Sequence, residues 1–148
     1  MGSIANCIIQ SGIVPVIEQD AQIESAANCY PGRLVKKGTG DKDLVVCTAG
    51  GDPAGWLGYE QAGATERPAT IATLYAVDDL PPVLKGGGFV ILGTLAVSQT
   101  IAKDAKLAAG ANGTVQAPTG SERIIGYADE SVTTDGSNTK PIKVRSII

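Results

Sequence analysis

The chain has 148 residues and a formal net charge of −3, with 43% apolar and 18% charged residues, the balance of one globular domain rather than of a disordered protein. This acidity argues against a nucleic-acid-binding protein, and no apolar run reaches the ~18 residues that cross a bilayer. Histidine is absent from the sequence, which removes the commonest general base and the usual metal ligand.

Residues 1–24 are predicted to form an extended N-terminal arm. Pro15 is incompatible with a regular helix and favours an extended Val14 before it. An apolar segment of this kind has to be buried against its own domain or against a neighbouring protein. The candidate interface residues of the arm are Ile4, Ile8, Ile9, Ile13, Val14, Val16 and Ile17.

A first unit of short strands and turns is predicted over residues 28–61. The following segment ATIATLYAV, residues 69–77, is apolar on both faces and predicts a central strand. FVILGTLAV, residues 89–97, is the strongest strand pattern in the chain. These segments favour an all-β fold.

A second unit is predicted over residues 101–130, and IAKDAKLAAG at its start carries the one helical signal, of one or two turns. The closing segment KPIKVRSII, residues 140–148, alternates apolar and basic residues and predicts a strand held in a sheet. The sequence therefore predicts at most one short helix.

The phrases WLGYEQ and IIGYADE, at residues 56–61 and 124–130, are similar. Aligning them places 34–35 opposite 107–108 and 44–46 opposite 114–116, which predicts duplicated units at about 28–77 and 101–148. Chance similarity in a Gly/Ala/Val-rich chain is the alternative interpretation. Gly58 and Gly126 are then structural corners, with Tyr59 and Tyr127 packed behind them. The predicted fold is a single compact β-barrel or β-tulip-like domain over residues 25–148.

The cysteines Cys7, Cys29 and Cys47 are odd in number and contain no CxxC pair, which predicts reduced, buried thiols and synthesis in a reducing cytoplasm. The N-terminus lacks a basic region before its apolar residues, so no signal peptide is expected. Trp56 is predicted to lie in the core or at a subunit interface.

The sequence motifs predict no catalytic, cofactor or metal site. No Ser-x-x-Lys or Gly-x-Ser-x-Gly motif occurs, and KGGGF lacks the Gly-Lys-Ser/Thr of a phosphate-binding loop. The pairs Asp41/Asp43 and Asp78/Asp79 lack a full calcium-ligand set. Residues 112–114 match a glycosylation sequon, but Asn-Gly is first a hairpin signal. The chain is therefore predicted to be no enzyme.

Two segments of the chain resemble the repeated Gly-x-Leu-Val-x-x-Gly pattern of tailed-bacteriophage capsid decoration (structural cement) proteins. They are PGRLVKKGTGDKDLVVCTAGG with WLGYEQ, and IAKDAKLAAGANGTVQAPTGSERIIGYADE. The resemblance covers most of residues 28–148, although the AGGDPAG insertion and Cys47 depart from the family pattern. It implies a virion protein that binds the outer surface of an HK97-type capsid as a homotrimer. It also implies that the partner is the major capsid protein, whose neighbouring subunits are bridged and stabilised, without nucleic acid, membrane or small-molecule substrate.

Two other classes of function remain open at this point. One is a different structural component of a virus particle, such as a tail or head-fibre base, and copy number per particle separates it from a cement protein. The other is a small glycan- or ligand-binding β module, which a glycan array would detect. Deletion of residues 1–20 is expected to leave a folded barrel and to weaken capsid attachment.

Overall fold

The computed structural model describes residues 7–148, so the predicted arm residue Ile4 lies outside the described residues. Strands and turns make up this part of the chain, and it contains no α-helix, which confirms the all-β prediction. The strands are β1 Ile9–Gly12, β2 Val16–Glu18, β3 Gln22–Ile23, β4 Leu34–Lys37, β5 Asp43–Val46, β6 Gly55–Leu57, β7 Val83–Lys85, β8 Phe89–Leu95, β9 Thr100–Ile101, β10 Lys106–Ala109, β11 Val115–Gln116, β12 Gly126–Ala128, β13 Val132–Thr133 and β14 Lys140–Ser146.

Five strands close into a small barrel in the order β8-β11-β10-β12-β14, and β14 returns to β8. The closing pair is antiparallel and runs from Leu95 opposite Lys140 to Val90 opposite Arg145. β11 joins the other edge of β8 in parallel, through Val115 opposite Leu95. β1 pairs with β8 beside the barrel. This closed ring confirms the predicted barrel.

The first half of the chain forms a second, open sheet in the order β2-β7-β6-β4-β5-β3. Successive residues of a strand point to opposite faces, and both faces of the central strands β4, β6 and β7 are buried. The inner face contributes Leu34, Trp56 and Leu84 to the core that contains the barrel side chains. The outer face contributes Val35, Leu57 and Val83 to a separate cluster. The open sheet therefore lies between the barrel and an outer layer.

Part of that outer layer is the segment 69–77, which was predicted to be a central strand and contains no strand. Thr70 directs a tight turn, because its hydroxyl accepts a hydrogen bond from the Ala72 amide at 3.2 Å and its carbonyl accepts one from the Thr73 amide at 3.1 Å. Tyr75 is buried against the outer face and donates its hydroxyl to the Gly58 carbonyl at 2.7 Å. The apolar residues therefore belong to a loop that covers the sheet and is held by the buried ring of Tyr75. The prediction of a central strand was wrong.

The helical signal of IAKDAKLAAG does not form a helix, which agrees with the predicted limit of at most one short helix. Residues of IAKDAKLAAG end β9 and form β10, because Leu107, Ala108 and Ala109 are fully buried in the strand-paired layer. Tertiary burial thus overrides the helix propensity of alanine. The Asn-Gly signal does mark the connection between the antiparallel strands β10 and β11, as a 3₁₀ turn in which Asn112 has φ +57°.

The two sheets share a pairing order, since β5-β4-β6-β7 in the open sheet matches β11-β10-β12-β14 in the barrel. The registers agree with the alignment of 34–35 on 107–108 and of 44–46 on 114–116. They disagree with the alignment of the Gly-Tyr phrases, because Leu34 pairs with Trp56 whereas Leu107 pairs with Gly126. The residue of the open sheet that is equivalent to Gly126 is therefore Trp56, which lies two residues before Gly58. The duplication itself stays a prediction.

The predicted extended arm is paired with both sheets over its described part. β1 pairs with β8 of the barrel, and after Pro15 the chain continues as β2 along β7 of the open sheet. Ile8 is only 1% exposed and belongs to the main core. Deletion of residues 1–20 would therefore remove a core side chain and two strands. We now expect that deletion to destabilise the fold as well.

Candidate functional site

The turn between β7 and β8 consists of three glycines, Gly86, Gly87 and Gly88, with φ angles of +99°, +68° and +78°. Glycine adopts such conformations without the steric cost that other residues incur. This triglycine turn is also the direct link between the open sheet and the barrel, because it joins β7 to β8.

Side chains from both ends of the described chain crowd the triglycine turn. A Cβ placed on Gly88 would lie 2.7 Å from Ile13 Cδ1, and one on Gly86 would lie 3.4 Å from Val16 Cγ2. A Cβ on Gly87 would lie 3.0 Å from the Cα of Ile147. The absence of side chains in the turn therefore allows these apolar residues to converge over it.

The residues at the turn, and Val14 between Ile13 and Val16 in the chain, are exposed to a degree that is unusual for large aliphatic side chains. Val14 is 84% exposed, Ile13 65%, Val16 60% and Ile147 51%. Contiguous exposed apolar surface of this kind marks an interaction site, because its removal from water contributes about 25 cal/mol per Å². We call these four residues, Ile13, Val14, Val16 and Ile147, the apolar face.

Main-chain hydrogen bonds hold the apolar face in place. The Ile13 amide donates to the Gly88 carbonyl at 3.0 Å, and the Gly88 amide donates to the Ser146 carbonyl at 3.0 Å. The Gly87 amide donates to the Ile148 carbonyl at 2.9 Å. The face is thus built on paired backbone from three segments, so binding to it would require little ordering.

Glu60 fixes the start of the arm. Its carboxylate accepts hydrogen bonds from the backbone amides of Ile8 at 3.1 Å and Ile9 at 2.8 Å, and from the Cys7 thiol at 3.4 Å. Burial, followed by the negative charge of Glu60, raises the pKa of the Cys7 thiol. This role of Glu60 was not predicted, and its only signal in the sequence is an acid directly after Gly58-Tyr59.

The remaining predicted arm residues divide by burial. Ile8 lies inside the core and Ile9 is half-buried against it, so these two interface candidates pack against the protein's own domain. Ile17 is 39% exposed and sits in β2, next to the apolar face. The exposed candidates are therefore those from Ile13 onward.

Trp56 lies in the core, the first of the two places expected for it, and not at the surface of the chain. Its side chain is fully buried, and its indole nitrogen donates to Ser146 Oγ at 3.0 Å. The ring lies against Gly93 of β8, where an added Cβ would be 3.1 Å from Trp56 Cζ3. Trp56 of the open sheet thus packs against two barrel strands.

The four predicted corner residues have different environments. Gly126 lies within β12, and a Cβ there would be 2.5 Å from the Arg145 carbonyl oxygen of β14, so glycine allows close strand approach rather than a corner. Gly58 follows β6, and Tyr59 is buried with its hydroxyl donating to the Ala69 carbonyl at 3.1 Å. Tyr127 is only half-buried, with the Arg145 guanidinium 5.8 Å from its ring centroid.

Cys29 and Cys47 are buried, and burial raises the pKa of Cys29 to about 11 and also raises that of Cys47. In the part of the chain that the structure covers, no group of three or more His, Cys, Asp or Glu side chains could hold a metal ion. None of the described helical segments is long and apolar enough to cross a membrane.

No protein-family model and no curated protein matches the chain. Among solved structures, it is similar to the crystal structure of the head fiber gp8.5 N base in bacteriophage phi29. The TM-score is 0.55 at 15% sequence identity, and the alignment covers 91% of this chain and 97% of that chain. At this identity the likeness establishes a shared fold, extending over nearly the full length of both chains.

Proposed function

We propose that the protein is a non-enzymatic structural component of a tailed-phage particle that attaches to the outside of the head. The observation that carries this proposal is the fold shared with a head fiber base over 91% of the chain. The sequence resemblance to capsid decoration proteins supports the same class of protein. An exposed apolar face on a barrel without a metal-ligand cluster in residues 7–148 suits a binding role.

The apolar face is the proposed contact with the major capsid protein. Beside it, β2 pairs with β7 on one side, and no described strand pairs with its other side. A free strand edge presents unpaired amide and carbonyl groups to which a partner strand can be added. Attachment would thus combine burial of the apolar face with main-chain hydrogen bonds along β2.

The proposal has two forms, which differ in what the attached protein does. As a head-fibre base it anchors a distal fibre, and the structural likeness favours this form. As a cement protein it sits on the shell as a homotrimer and bridges neighbouring capsid subunits, a form that rests on the sequence resemblance. Copy number on purified particles separates them, because a shell component is present in far more copies than a fibre base.

The test is co-sedimentation of the purified protein with particles that lack it. Ile13→Ser combined with Val14→Ser should weaken attachment roughly tenfold or more, because each buried aliphatic side chain contributes about 1.5–3 kcal/mol. Leu74→Ser with Val77→Ser is the matched control, since these residues are also exposed, at 40% and 52%, but lie in the segment 69–77. Wild-type attachment by the Ile13/Val14 variant would rule out the apolar face as the contact.

The cement form makes a separate demand on the particles. Particles carrying the protein should withstand higher temperature and lower ionic strength than particles without it. Equal resistance, together with a low copy number, would leave the fibre-base form.

A further inference from the structure

Arg33 is a buried cation without an anionic partner in the described chain. Its side chain lies just before β4, is 9% exposed, and has no hydrogen-bond partner at Nε. Nη1 donates to the Asn112 carbonyl at 2.8 Å, and the guanidinium lies 5.2 Å from the Tyr30 ring centroid. The ion pairs of residues 7–148 do not include Arg33, and residues 1–6, MGSIAN, contain no acid.

Such burial is costly, because a charge removed from water is stabilised mainly by a paired counter-charge. Desolvation accordingly lowers the pKa of Arg33. The neighbouring thiol of Cys29 cannot offset the charge near neutral pH, since its pKa is raised to about 11. The guanidinium therefore retains an unused donor and an uncompensated charge.

Arg33 lines an open cavity of about 650 Å³ against the barrel wall. The wall contributes Leu92 of β8 and Pro141 of β14, and Lys140 adds a second cation. Tyr30 and Ile8 also line the cavity, and none of the Asp or Glu residues between 7 and 148 does. We call this cavity the Arg33 groove. It is locally basic, although the protein as a whole carries a net charge of −3.

We propose that the Arg33 groove binds an acidic peptide segment of the partner shell protein, with Arg33 receiving the carboxylate and Lys140 assisting it. The identity of the partner rests on the proposed function. A guanidinium presents a planar fork of donors that matches a carboxylate, and such charge-assisted bonds are among the stronger hydrogen bonds in proteins. The Ile, Leu and Pro lining suits apolar side chains on either side of the acid.

A peptide fits this groove better than an acidic sugar does. Sugar sites commonly use an open aromatic face, whereas Tyr30, the aromatic residue of the groove, already has Arg33 stacked on it. Acidic-sugar binding is therefore an alternative outcome of the test.

The first experiment titrates ¹⁵N-labelled protein with acetyl-Leu-Glu-Leu-amide while the Arg33 Nε–H resonance is followed. A saturable shift is expected, at least about tenfold weaker with the matching Gln peptide, which keeps the shape but lacks the charge. Arg67→Gln should leave the peptide affinity unchanged. Arg67 is the matched control, because it also stacks on a tyrosine, 4.9 Å from the Tyr59 ring centroid, and lies outside the groove.

Several outcomes would overturn the proposal. These are equal binding of the Glu and Gln peptides, no saturable response to either peptide, and tighter binding of glucuronate than of the Glu peptide. Lys140→Gln is a second variant that leaves the buried Arg33 in place, because the Lys140 side chain is exposed and its amine donates to the Thr133 carbonyl. This variant should weaken Glu-peptide binding about threefold, and unchanged binding would count against the groove.

The second experiment compares Arg33→Gln and Arg67→Gln in the co-sedimentation assay with particles. Loss of attachment by the first variant alone, with its thermal unfolding unchanged, supports the proposal. Attachment of Arg33→Gln at the wild-type level overturns it and leaves the proposed function intact. If wild-type protein fails to attach, the proposed function is wrong, and the peptide titration still decides whether the groove binds carboxylates.

Discussion

The barrel and the open sheet use the same pairing order for four strands, yet only one of them closes. In the barrel, β8 and β14 have seven residues each and pair along most of their length. In the open sheet the longest strands have four residues, and the edges are the three-residue β2 and the two-residue β3. Closure thus depends on two long strands rather than on the shared order.

The open sheet compensates by burying both faces of its central strands β4, β6 and β7. Its inner face completes the core of the barrel, and its outer face is covered by the loop anchored at Tyr75. Trp56 joins the two regions most directly, because its side chain extends from β6 and contacts β8 and β14. Breaking this junction should reveal how far the two regions depend on each other.

Trp56→Ala should have the largest effect, a loss of about 3–5 kcal/mol in the free energy of unfolding. Amide exchange should accelerate in both sheets, because the indole is shared. Leu57→Ala is the comparison, since this neighbour is equally buried but belongs to the outer cluster. Its effect on exchange should be confined to the open sheet, and equal acceleration of the barrel amides would show that the outer cluster also supports the barrel.

Glu60→Ala tests the attachment of the arm, which spans both regions. Loss of the carboxylate leaves the Ile8 and Ile9 amides without their acceptor, which should cost about 1.5–3 kcal/mol. Denaturant melts would measure the loss, and faster amide exchange of these residues would localise it. Glu66→Ala removes the same charge from an exposed position and should be nearly neutral. Equal effects of the two variants would mean that charge, rather than the hydrogen bonds, is responsible.

Gly126→Ala and Gly58→Ala compare the two similar phrases directly. A Cβ at Gly126 meets backbone, the Arg145 carbonyl oxygen, whereas a Cβ at Gly58 meets the side chains of Pro82 at 2.8 Å and Gln61 at 2.9 Å. Gly126→Ala should therefore lower stability by about 1–3 kcal/mol, and Gly58→Ala by less. Thermal unfolding measures both, and a larger loss at Gly58 would contradict the register described above.

The smallest effect concerns a loop on the barrel side. Hydrogen bonds from the Thr119 side chain and from the backbone amides of Thr119 and Gly120 lower the pKa of Glu122 to about 2. Because its pKa is lower in the folded state, the ionised Glu122 carboxylate stabilises the fold above the unfolded pKa of about 4.5. This stabilisation is lost as pH falls toward 2. Carboxyl ¹³C NMR should show the low midpoint, and Thr119→Val should raise it. A midpoint near 4.5 in the wild-type protein would exclude these bonds.

Much of the fold could be predicted from local pattern. The seven residues of β8 and the alternation of β14 are visible in the sequence because long strands impose a regular period. The segment 69–77 could not be assigned in this way, since a loop that covers an apolar sheet needs apolar residues as much as a strand does. The two similar Gly-Tyr segments were predicted to be equivalent corners, but their glycines have different roles. Gly126 allows close strand approach, whereas Gly58 follows a strand.

The candidate surface was only partly visible in the sequence. The apolar character of the arm indicated burial or binding, but the choice between them depends on long-range contacts. Glu60 fixes Ile8 to the core, and the triglycine turn displays Ile13 at the surface. The sequence did not indicate that Arg33 would be unpaired, because this depends on the distance between its guanidinium and the carboxylates in the folded chain.

The position of β8 has a consequence for how quickly the protein folds. Its two antiparallel partners are β1 and β14, which are more than 120 residues apart in the sequence. Pairings so distant in sequence require large loops to close before any stabilisation is gained, so all-β proteins of high contact order fold in milliseconds to seconds. During synthesis the barrel cannot close until β14 has left the ribosome. Until then the apolar β8 lacks its longest partner and is exposed to aggregation.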